Sequence, residues 1–212
     1  MSTAQPPADF TPASATAAGF ASSGPAGPAR AVDYWGLPEG TPIELIRGEF
    51  VVSPAPNSRH QVISMLLTEV VLRGVRDGGG FGAAAPIDVV FSDDTILQPD
   101  LVYVSKSRRS IVDSRVRGAP DLVIEILSAS HAARDRTHKL AIYAQHGVAE
   151  YWIVDPAERH IEFLLLSDDP SEDQRRYRVE LPTKPTYQSP RLPEIKIDLP
   201  TLWGEVEKLS AQ

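Results

Sequence analysis

The pattern of apolar residues at the start of the folded region predicts a β-hairpin followed by a long helix. The hairpin covers residues 43–52, with Arg47-Gly48 at its turn. The proline-containing stretch 53–57 breaks the strand pattern, and Ser58 is placed to cap a helix that runs to about Arg76. The apolar positions of this helix fall on roughly one face: Val62, Met65, Leu66, Val70 and Leu72.

Three further apolar runs predict strands. The first two, 86–91 and 96–104, are separated by a Ser-Asp-Asp-Thr turn at 92–95. The third run, 121–127, is nearly all apolar, which is typical of a strand in the centre of a sheet.

A second helix is predicted after the third run, followed by shorter elements. Ser128 or Ser130 caps this helix, which ends near His146 because Gly147 is a natural residue to follow a helix end. Thr201 is the predicted cap of a final short helix. Between these helices lie four predicted strands: 150–154, 160–166, 177–181 and 195–197. Strands mixed with two sizeable helices predict an α/β or α+β fold, with a mixed central sheet flanked by helices.

Residues 1–30 differ from the rest of the chain in composition. They are almost entirely Ala, Pro, Ser, Gly and Thr, and Phe10 and Phe20 are their only large apolar residues. Such a segment buries too little surface to offset its ordering entropy, so a disordered tail is predicted. The remaining residues, 31–212, are expected to form a single domain.

Composition excludes some sites and leaves nucleic-acid binding open. The absence of cysteine excludes disulfides and thiolate zinc sites. With no apolar run long enough to cross a bilayer and no signal-like N-terminus, a cytoplasmic location is expected, with no membrane association. The net charge of −7 counts against a general nucleic-acid binder. One stretch is basic, and it forms either a solvated loop face or a phosphate-binding surface: Lys106, Arg108, Arg109, Arg115 and Arg117.

Glu125 is a carboxylate in an otherwise apolar strand, where burial is costly unless a cation or partner is present. Asp121 shares its face but lies roughly 13 Å away along an extended strand, too far to bind the same ion. Asp100 begins its strand and Glu125 lies near the end of its own, so antiparallel pairing would make them neighbours. Two close carboxylates suit magnesium. A buried ion pair with an arginine is the alternative.

Four stretches in this order resemble the Uma family of restriction endonucleases, members of the PD-(D/E)XK nuclease superfamily. They are residues 46–56 with His60 after them, residues 98–102 (Gln-Pro-Asp-Leu-Val), residues 118–128 (Gly-Ala-Pro-Asp-Leu-Val-Ile-Glu-Ile-Leu-Ser), and the stretch from Arg134 through Lys139 and Tyr143 to Pro156. The resemblance covers more than half of the chain. It implies a restriction-endonuclease-like core, a site holding Mg²⁺ (or Mn²⁺), and hydrolysis of phosphodiester bonds in DNA.

The resemblance also implies roles for individual residues. Asp100 and Glu125 become the catalytic, metal-binding acids, and Asp121 a supporting residue. Leu127 stands where many members have lysine, and Lys139 on the following helix substitutes for it. A surface ion pair with Asp135 is the alternative for Lys139.

The resemblance also implies roles for residues outside the strands that carry Asp100 and Glu125. Glu49 and His60 match the family's N-terminal motif and support the site, although a histidine near a helix start is otherwise a cap or surface group. The basic stretch would bind neighbouring DNA phosphates, through Arg108, Arg109, Arg115 and Arg117. A two-fold homodimer is a further option. Tyr143 and Trp152 are expected to be core residues.

The sequence therefore predicts a metal-dependent DNA endonuclease. One alternative is a non-catalytic DNA-binding or protein-interaction module on the same fold, favoured by the net acidity and by Leu127 in place of the strand lysine. Another is a nuclease that acts on RNA or branched DNA. Cleavage of DNA in the presence of magnesium distinguishes the catalytic from the non-catalytic reading.

Overall fold

The computed structural model describes residues 27–53, 55–128, 132–169 and 176–210, with the backbone alone for 132–137. Most of the predicted N-terminal tail, residues 1–26, lies outside the described residues. Ala29 and Arg30 contact the folded part. Ala29 is buried, and its N–H donates to the carbonyl oxygen of Gly48 at 2.8 Å. Arg30 forms an ion pair with Asp93 at 2.7 Å.

Four α-helices, a 3₁₀ helix and thirteen strands make up the described part of the chain. The α-helices are α1 (Ala31–Trp35), α2 (Ser58–Gly78), α3 (Ala132–His146) and α4 (Leu199–Ser210), and the 3₁₀ helix is Lys106–Ile111. The strands up to the 3₁₀ helix are β1 (Ile43–Ile46), β2 (Glu49–Val52), β3 (Phe81–Ala84), β4 (Val89–Ser92), β5 (Thr95–Leu97) and β6 (Leu101–Val104). Those after it are β7 (Val116–Arg117), β8 (Leu122–Ile126), β9 (Glu150–Asp155), β10 (His160–Leu166), β11 (Tyr177–Glu180), β12 (Thr186–Gln188) and β13 (Lys196–Asp198).

Two mixed sheets contain all but two of these strands. The large sheet has the order β11-β10-β9-β8-β6-β3, and the small sheet has the order β2-β1-β5-β4-β7. Strands β8 and β9 pair in parallel, as do β4 and β7, while the other pairs are antiparallel. The predicted mixed central sheet flanked by helices is confirmed, and β8 lies inside it as predicted, whereas the small sheet was not predicted.

The large sheet is covered on both faces. One face packs on α2 and α4 through a cluster that includes Ile63, Leu67 and Trp152. The other packs on α3 and the small sheet through a cluster that includes Val123 and Tyr143. Burial on both sides explains why β8 is apolar at nearly every position. It also means that Glu125, which alternates with Ile124 and Ile126, points into the second cluster.

The chain passes between the two sheets at Gln98-Pro99-Asp100. The prediction of one strand over 96–104 is therefore wrong, because β5 lies in the small sheet and β6 in the large one. Pro99 has no N–H with which to continue a ladder. Asp100 is thus the first residue on the large-sheet side of this crossing. Strand β3 was not predicted, since its Phe-Gly-Ala-Ala sequence lacks an alternating pattern.

The helix caps differ in detail from those predicted. Asn57, not Ser58, caps α2, because its side chain accepts a hydrogen bond from the His60 N–H at 2.9 Å. At α4 the cap is Asp198, whose carboxylate accepts from the Thr201 N–H at 2.9 Å. Helix α3 ends at His146 as predicted, and the alternative cap Ser130 lies outside the described residues. No helix in the described ranges is both long and apolar enough to span a membrane.

Candidate active site

Asp100 and Glu125 are brought together by the pairing of β6 with β8. These strands are antiparallel, and Leu101 lies opposite Ile124. One more step along the register places Asp100 opposite Glu125, with both side chains on the same face of the sheet. The predicted neighbourhood of the two acids is therefore confirmed. The Asp100 carboxylate is also held by the backbone, since its Oδ2 accepts from the Ile126 N–H at 2.7 Å.

Glu125 is surrounded by hydrogen-bond donors. Lys139 Nζ lies 3.0 Å from its Oε1 and 3.2 Å from its Oε2, and the Tyr143 hydroxyl donates to Oε1 at 2.6 Å. Burial raises the pKa of Glu125 to about 7, with Asp100 and a third carboxylate, Glu44, acting in the same direction. Lys139 acts in the opposite direction but does not offset them. Glu125 is therefore a carboxylate whose buried position favours its protonated form.

Lys139 points into the protein, toward Glu125, as predicted. It is only 8% exposed, which contradicts the alternative of a surface ion pair with Asp135. Its ammonium also lies 3.0 Å from Glu44 Oε1. Burial works to lower the pKa of Lys139, but the two carboxylates outweigh it and leave the pKa well above 10.5. Lys139 is therefore a buried cation between two carboxylates.

Glu44 belongs to the site but was not predicted from the sequence. It lies on β1 in the small sheet, is 3% exposed, and accepts from the Gln98 N–H at 2.8 Å. The signal was the same as for Glu125, a carboxylate within an apolar strand. The strand was predicted only as half of a hairpin, and nothing in that pattern showed that a second sheet would bury Glu44. The hairpin itself is as predicted, with Arg47 and Gly48 both at positive φ in a two-residue turn.

His60 lies on the other side of Asp100. Its Nε2 is 3.1 Å from Asp100 Oδ1, and its position in the first turn of α2 is fixed by the Asn57 cap. Its Nδ1 is buried and has no hydrogen-bond partner among the residues that the structure describes. The structure therefore brings His60 into the site, with one ring nitrogen free for a further contact.

A cavity of about 460 Å³ joins these groups. Its wall includes the side chains of His60, Asp100, Glu125 and Lys139, together with residues 126–128 at the end of β8. Leu127, which replaces the strand lysine, also lines it. A second cavity of about 420 Å³ adjoins the first and shares His60, Leu127 and Ser128 with it. The two cavities therefore meet at the carboxyl end of β8.

The donor set fits a hydrated divalent cation. Among the described residues, three carboxylates, Glu44, Asp100 and Glu125, lie near the single lysine ammonium of Lys139. Carboxylate oxygens are the ligands that magnesium prefers, and magnesium retains several water molecules. Within the described ranges, no three His, Asp or Glu side chains are grouped closely enough to ligate one ion. Two protein carboxylates, Asp100 and Glu125, with water in the other positions are the arrangement that remains.

Glu49 and Asp121 are not brought to the cavity. Glu49 is exposed on β2, next to the hairpin turn. Asp121 lies just before β8, at the far end from Glu125 as its spacing predicted. Its Oδ2 accepts from the Ser105 N–H at 2.7 Å, and its Oδ1 pairs with Arg108 at 3.0 Å. The structure gives Asp121 the role of anchoring a loop.

The four arginines predicted to bind DNA lie away from the cavity and have partners within the chain. They follow the end of β6 opposite to Asp100. Arg109 stacks on Phe81, with 5.0 Å from its guanidinium carbon to the ring centre, and Arg115 stacks on Trp35 at 3.8 Å. Arg108 binds Asp121, and Arg117 binds Asp113 at 2.8 Å. Among the described residues, none of these hydrogen bonds, ion pairs or ring contacts involves a residue that lines the cavity.

Comparisons with known proteins agree with this architecture. The Uma2 family model, described as "Putative restriction endonuclease", matches residues 32–200. The structure is similar to the crystal structure of a protein from Anabaena variabilis described as "a putative nuclease belonging to DUF820". The TM-score is 0.68 and the sequence identity 22%, with 84% of this chain and 99% of that chain covered. This similarity establishes the fold. No curated protein matches the sequence.

Proposed function

The chain belongs to the Uma2 family, and on that premise we propose that it is a metal-dependent endonuclease that hydrolyses phosphodiester bonds in DNA. The observation that carries the proposal is the position of Lys139, 3.0 Å from Glu125, which in turn lies opposite Asp100. Two acids and a lysine on one face of a sheet are the groups that the reaction requires. Here the lysine comes from α3 because Leu127 occupies the strand position.

Asp100 and Glu125 would hold a magnesium or manganese ion. When bound, the ion supplies positive charge to the phosphate oxygens and increases the acidity of water. The protein's own contribution to metal binding is the geometry of the two carboxylates. Asp100 is fixed by the Ile126 N–H, and Glu125 by the Tyr143 hydroxyl. Both acids are therefore oriented before the ion arrives.

Lys139 would act on the transferring phosphate. Its ammonium is buried in the cavity wall, where an electrostatic interaction is stronger than in water. It can stabilise the negative charge that develops on the phosphate or orient the attacking water. His60 contacts Asp100 through Nε2 at 3.1 Å on the same side of the cavity, so it would help to hold that carboxylate in place.

A non-catalytic module remains the second candidate. The net charge of −7 favours it, as do the internal partners of the four arginines. A DNA-binding surface would then have to lie elsewhere. The buried position of Lys139 favours the nuclease instead, because a lysine enclosed between two carboxylates costs desolvation that a binding module has no need to bear.

Cleavage assays on several substrates test the proposal. The full chain is incubated with supercoiled and linear DNA, branched DNA and RNA, each with Mg²⁺, Mn²⁺, Ca²⁺ or EDTA. Cleavage of DNA with Mg²⁺ or Mn²⁺ and none with EDTA is the expected result. Cleavage restricted to RNA or branched DNA would change the substrate class. Binding without cleavage in every metal would support the non-catalytic module.

A further inference from the structure

Glu44 connects the small sheet to the candidate active site through Lys139. Its Oε1 is 3.0 Å from Lys139 Nζ and accepts from the Gln98 N–H at 2.8 Å. The side chain is almost fully buried on β1. Lys139 thus lies between Glu44 on one side and Glu125 on the other, each carboxylate approaching to 3.0 Å.

The two carboxylates differ in what else they would do. On the proposed function, Glu125 is also a metal ligand, so the ammonium and the ion compete for the same negative charge. A divalent cation on Glu125 would weaken its attraction for Lys139 and repel the ammonium. A lysine side chain is long and flexible, so it would then be free to leave the cavity. Catalysis requires it to stay.

The ion pair between Glu44 and the Lys139 ammonium would persist when an ion is bound at Asp100 and Glu125. Glu44 comes from the other sheet, and one oxygen is already occupied by Lys139 and Gln98. We propose that Glu44 is a positioning residue that holds the Lys139 ammonium in the cavity when a divalent cation occupies Asp100 and Glu125. This inference rests on the proposed function, since it assumes an ion at those two acids.

A purely structural role for Glu44 is the alternative. Its hydrogen bond to the Gln98 N–H supports the segment that leads to Asp100, so loss of Glu44 could simply distort that segment. Glu44→Gln separates the two roles. The amide oxygen can still accept from the Gln98 N–H, whereas the negative charge that attracts the ammonium is gone. The variant is expected to fold, with its amide filling the same space.

The ammonium can be observed without any assay of activity. A hydrogen-bonded, buried Lys139 ammonium exchanges protons slowly enough to give a ¹⁵N–¹H correlation, which Lys139→Arg assigns by its disappearance while the positive charge is kept. We expect the correlation in the wild-type chain with EDTA and with saturating Mg²⁺. In Glu44→Gln it should be present with EDTA, through Glu125, and lost with Mg²⁺. Persistence of the correlation in Glu44→Gln with Mg²⁺ would overturn the proposal.

Single-turnover cleavage gives the second measurement. With saturating metal and DNA, Glu44→Gln should cleave at least about tenfold more slowly, as expected when a transition-state contact is displaced, with an unchanged magnesium midpoint. In a Lys139→Met background the same substitution should have no further effect, because the residue it positions is absent. Independent, multiplicative losses would show that Glu44 acts in another way. If the wild-type chain cleaves nothing, the proposed function fails, and the ammonium spectra still decide where Lys139 is held.

Discussion

Lys139 is a buried cation, and its replacement should change the stability of the protein. Its ammonium is enclosed by Glu44 and Glu125, and its side chain is 10% exposed. Lys139→Met should therefore lower the free energy of unfolding by about 3–5 kcal/mol in EDTA, because two buried carboxylates lose their counter-ion. Magnesium should restore part of this loss by neutralising Glu125. Urea unfolding with and without magnesium measures both effects, and an unchanged stability in EDTA would show that the buried ion pair is absent in solution.

Glu150 lies outside the candidate active site and should make the stability of the protein depend on pH. It is fully buried on β9 and accepts from Trp152 at 2.6 Å, from Tyr187 at 2.9 Å and from Ser189. Burial raises the pKa of Glu150 above its usual 4.5, despite these hydrogen bonds. A raised folded pKa means that its contribution to stability is complete below the unfolded pKa. This contribution is lost as the pH rises through the folded pKa.

Glu150→Gln removes that titration. Relative to the wild type, the stability of the variant should improve as the pH rises from about 4.5 through the raised pKa. Thermal midpoints measured at a series of pH values for both chains provide the comparison. Two curves that run parallel across the acidic range would mean that Glu150 is not destabilised by ionisation in the folded state.

The site residues differ in how far they could be predicted. Asp100 and Glu125 could be predicted from the sequence, since an acid in a buried strand needs a partner. Their proximity was expected on the condition that the two strands pair antiparallel, as they do. Lys139 followed from the family resemblance, not from its spacing. Glu44 was missed because its burial depends on a second sheet, β1 paired with β5, that no local pattern reveals. Partners contributed by distant strands are set by tertiary packing.

Strand β3 has no alternating apolar pattern, but it packs closely against α2 at a glycine. Gly82 faces α2, and a methyl group there would overlap Val71 and press on Val75. Gly82→Ala should therefore lower stability by about 1–3 kcal/mol through overpacking. Gly204→Ala in α4 is the matched control, because nothing lies within 4 Å of its added carbon. It should raise stability by roughly 0.5–1 kcal/mol.

Denaturant unfolding of both glycine variants tests this contrast. If the two substitutions shift the midpoint in the same direction, then the tight contact between β3 and α2 is not present in solution.

Helix and strand predictions succeeded where one element carries one pattern. The long helix α2 and the strand β10 have the predicted positions. The predicted apolar face of α2 is partly wrong, because its buried residues are Ile63, Leu67 and Val71 while Met65 and Leu72 are exposed. The run 96–104 failed because its apolar residues are buried in both β5 and β6. The change of sheet leaves the pattern uninterrupted except at Gln98-Pro99-Asp100. Sequence periodicity reports burial and not which sheet a strand joins.

At the scale of the whole molecule, the N-terminal boundary can be tested by deletion. Removal of residues 1–26 should leave the thermal midpoint nearly unchanged, because their composition offers little surface to bury. Removal of residues 1–30 should lower it, because Ala29 is buried and Arg30 binds Asp93. Calorimetry of the two deletions against the full chain distinguishes them. A large loss from the shorter deletion would place Phe10 or Phe20 in the folded domain.

The basic stretch predicted to bind DNA has partners within the chain, and its role as a DNA surface stays a prediction. The basic stretch follows the end of β6 opposite to Asp100. Arg108 and Arg117 pair with nearby carboxylates, whereas Arg109 stacks on Phe81 in β3 and Arg115 on Trp35 in α1. The sequence shows that these residues are basic. It does not show that two of them pair with Asp121 and Asp113 and that the other two stack on aromatic rings. Association into a two-fold dimer stays a prediction.

Single-turnover DNA cleavage by a matched pair of aspartate variants tests whether Asp100 belongs to a metal-dependent nuclease site. Asp100→Asn removes one proposed metal ligand, and Asp121→Asn removes a carboxylate at the other end of the paired strands. With Mg²⁺, Asp100→Asn should reduce the cleavage rate by at least about a hundredfold, whereas Asp121→Asn should retain most of the wild-type rate. Wild-type cleavage by Asp100→Asn, with the metal requirement unchanged, would contradict the assignment of the site.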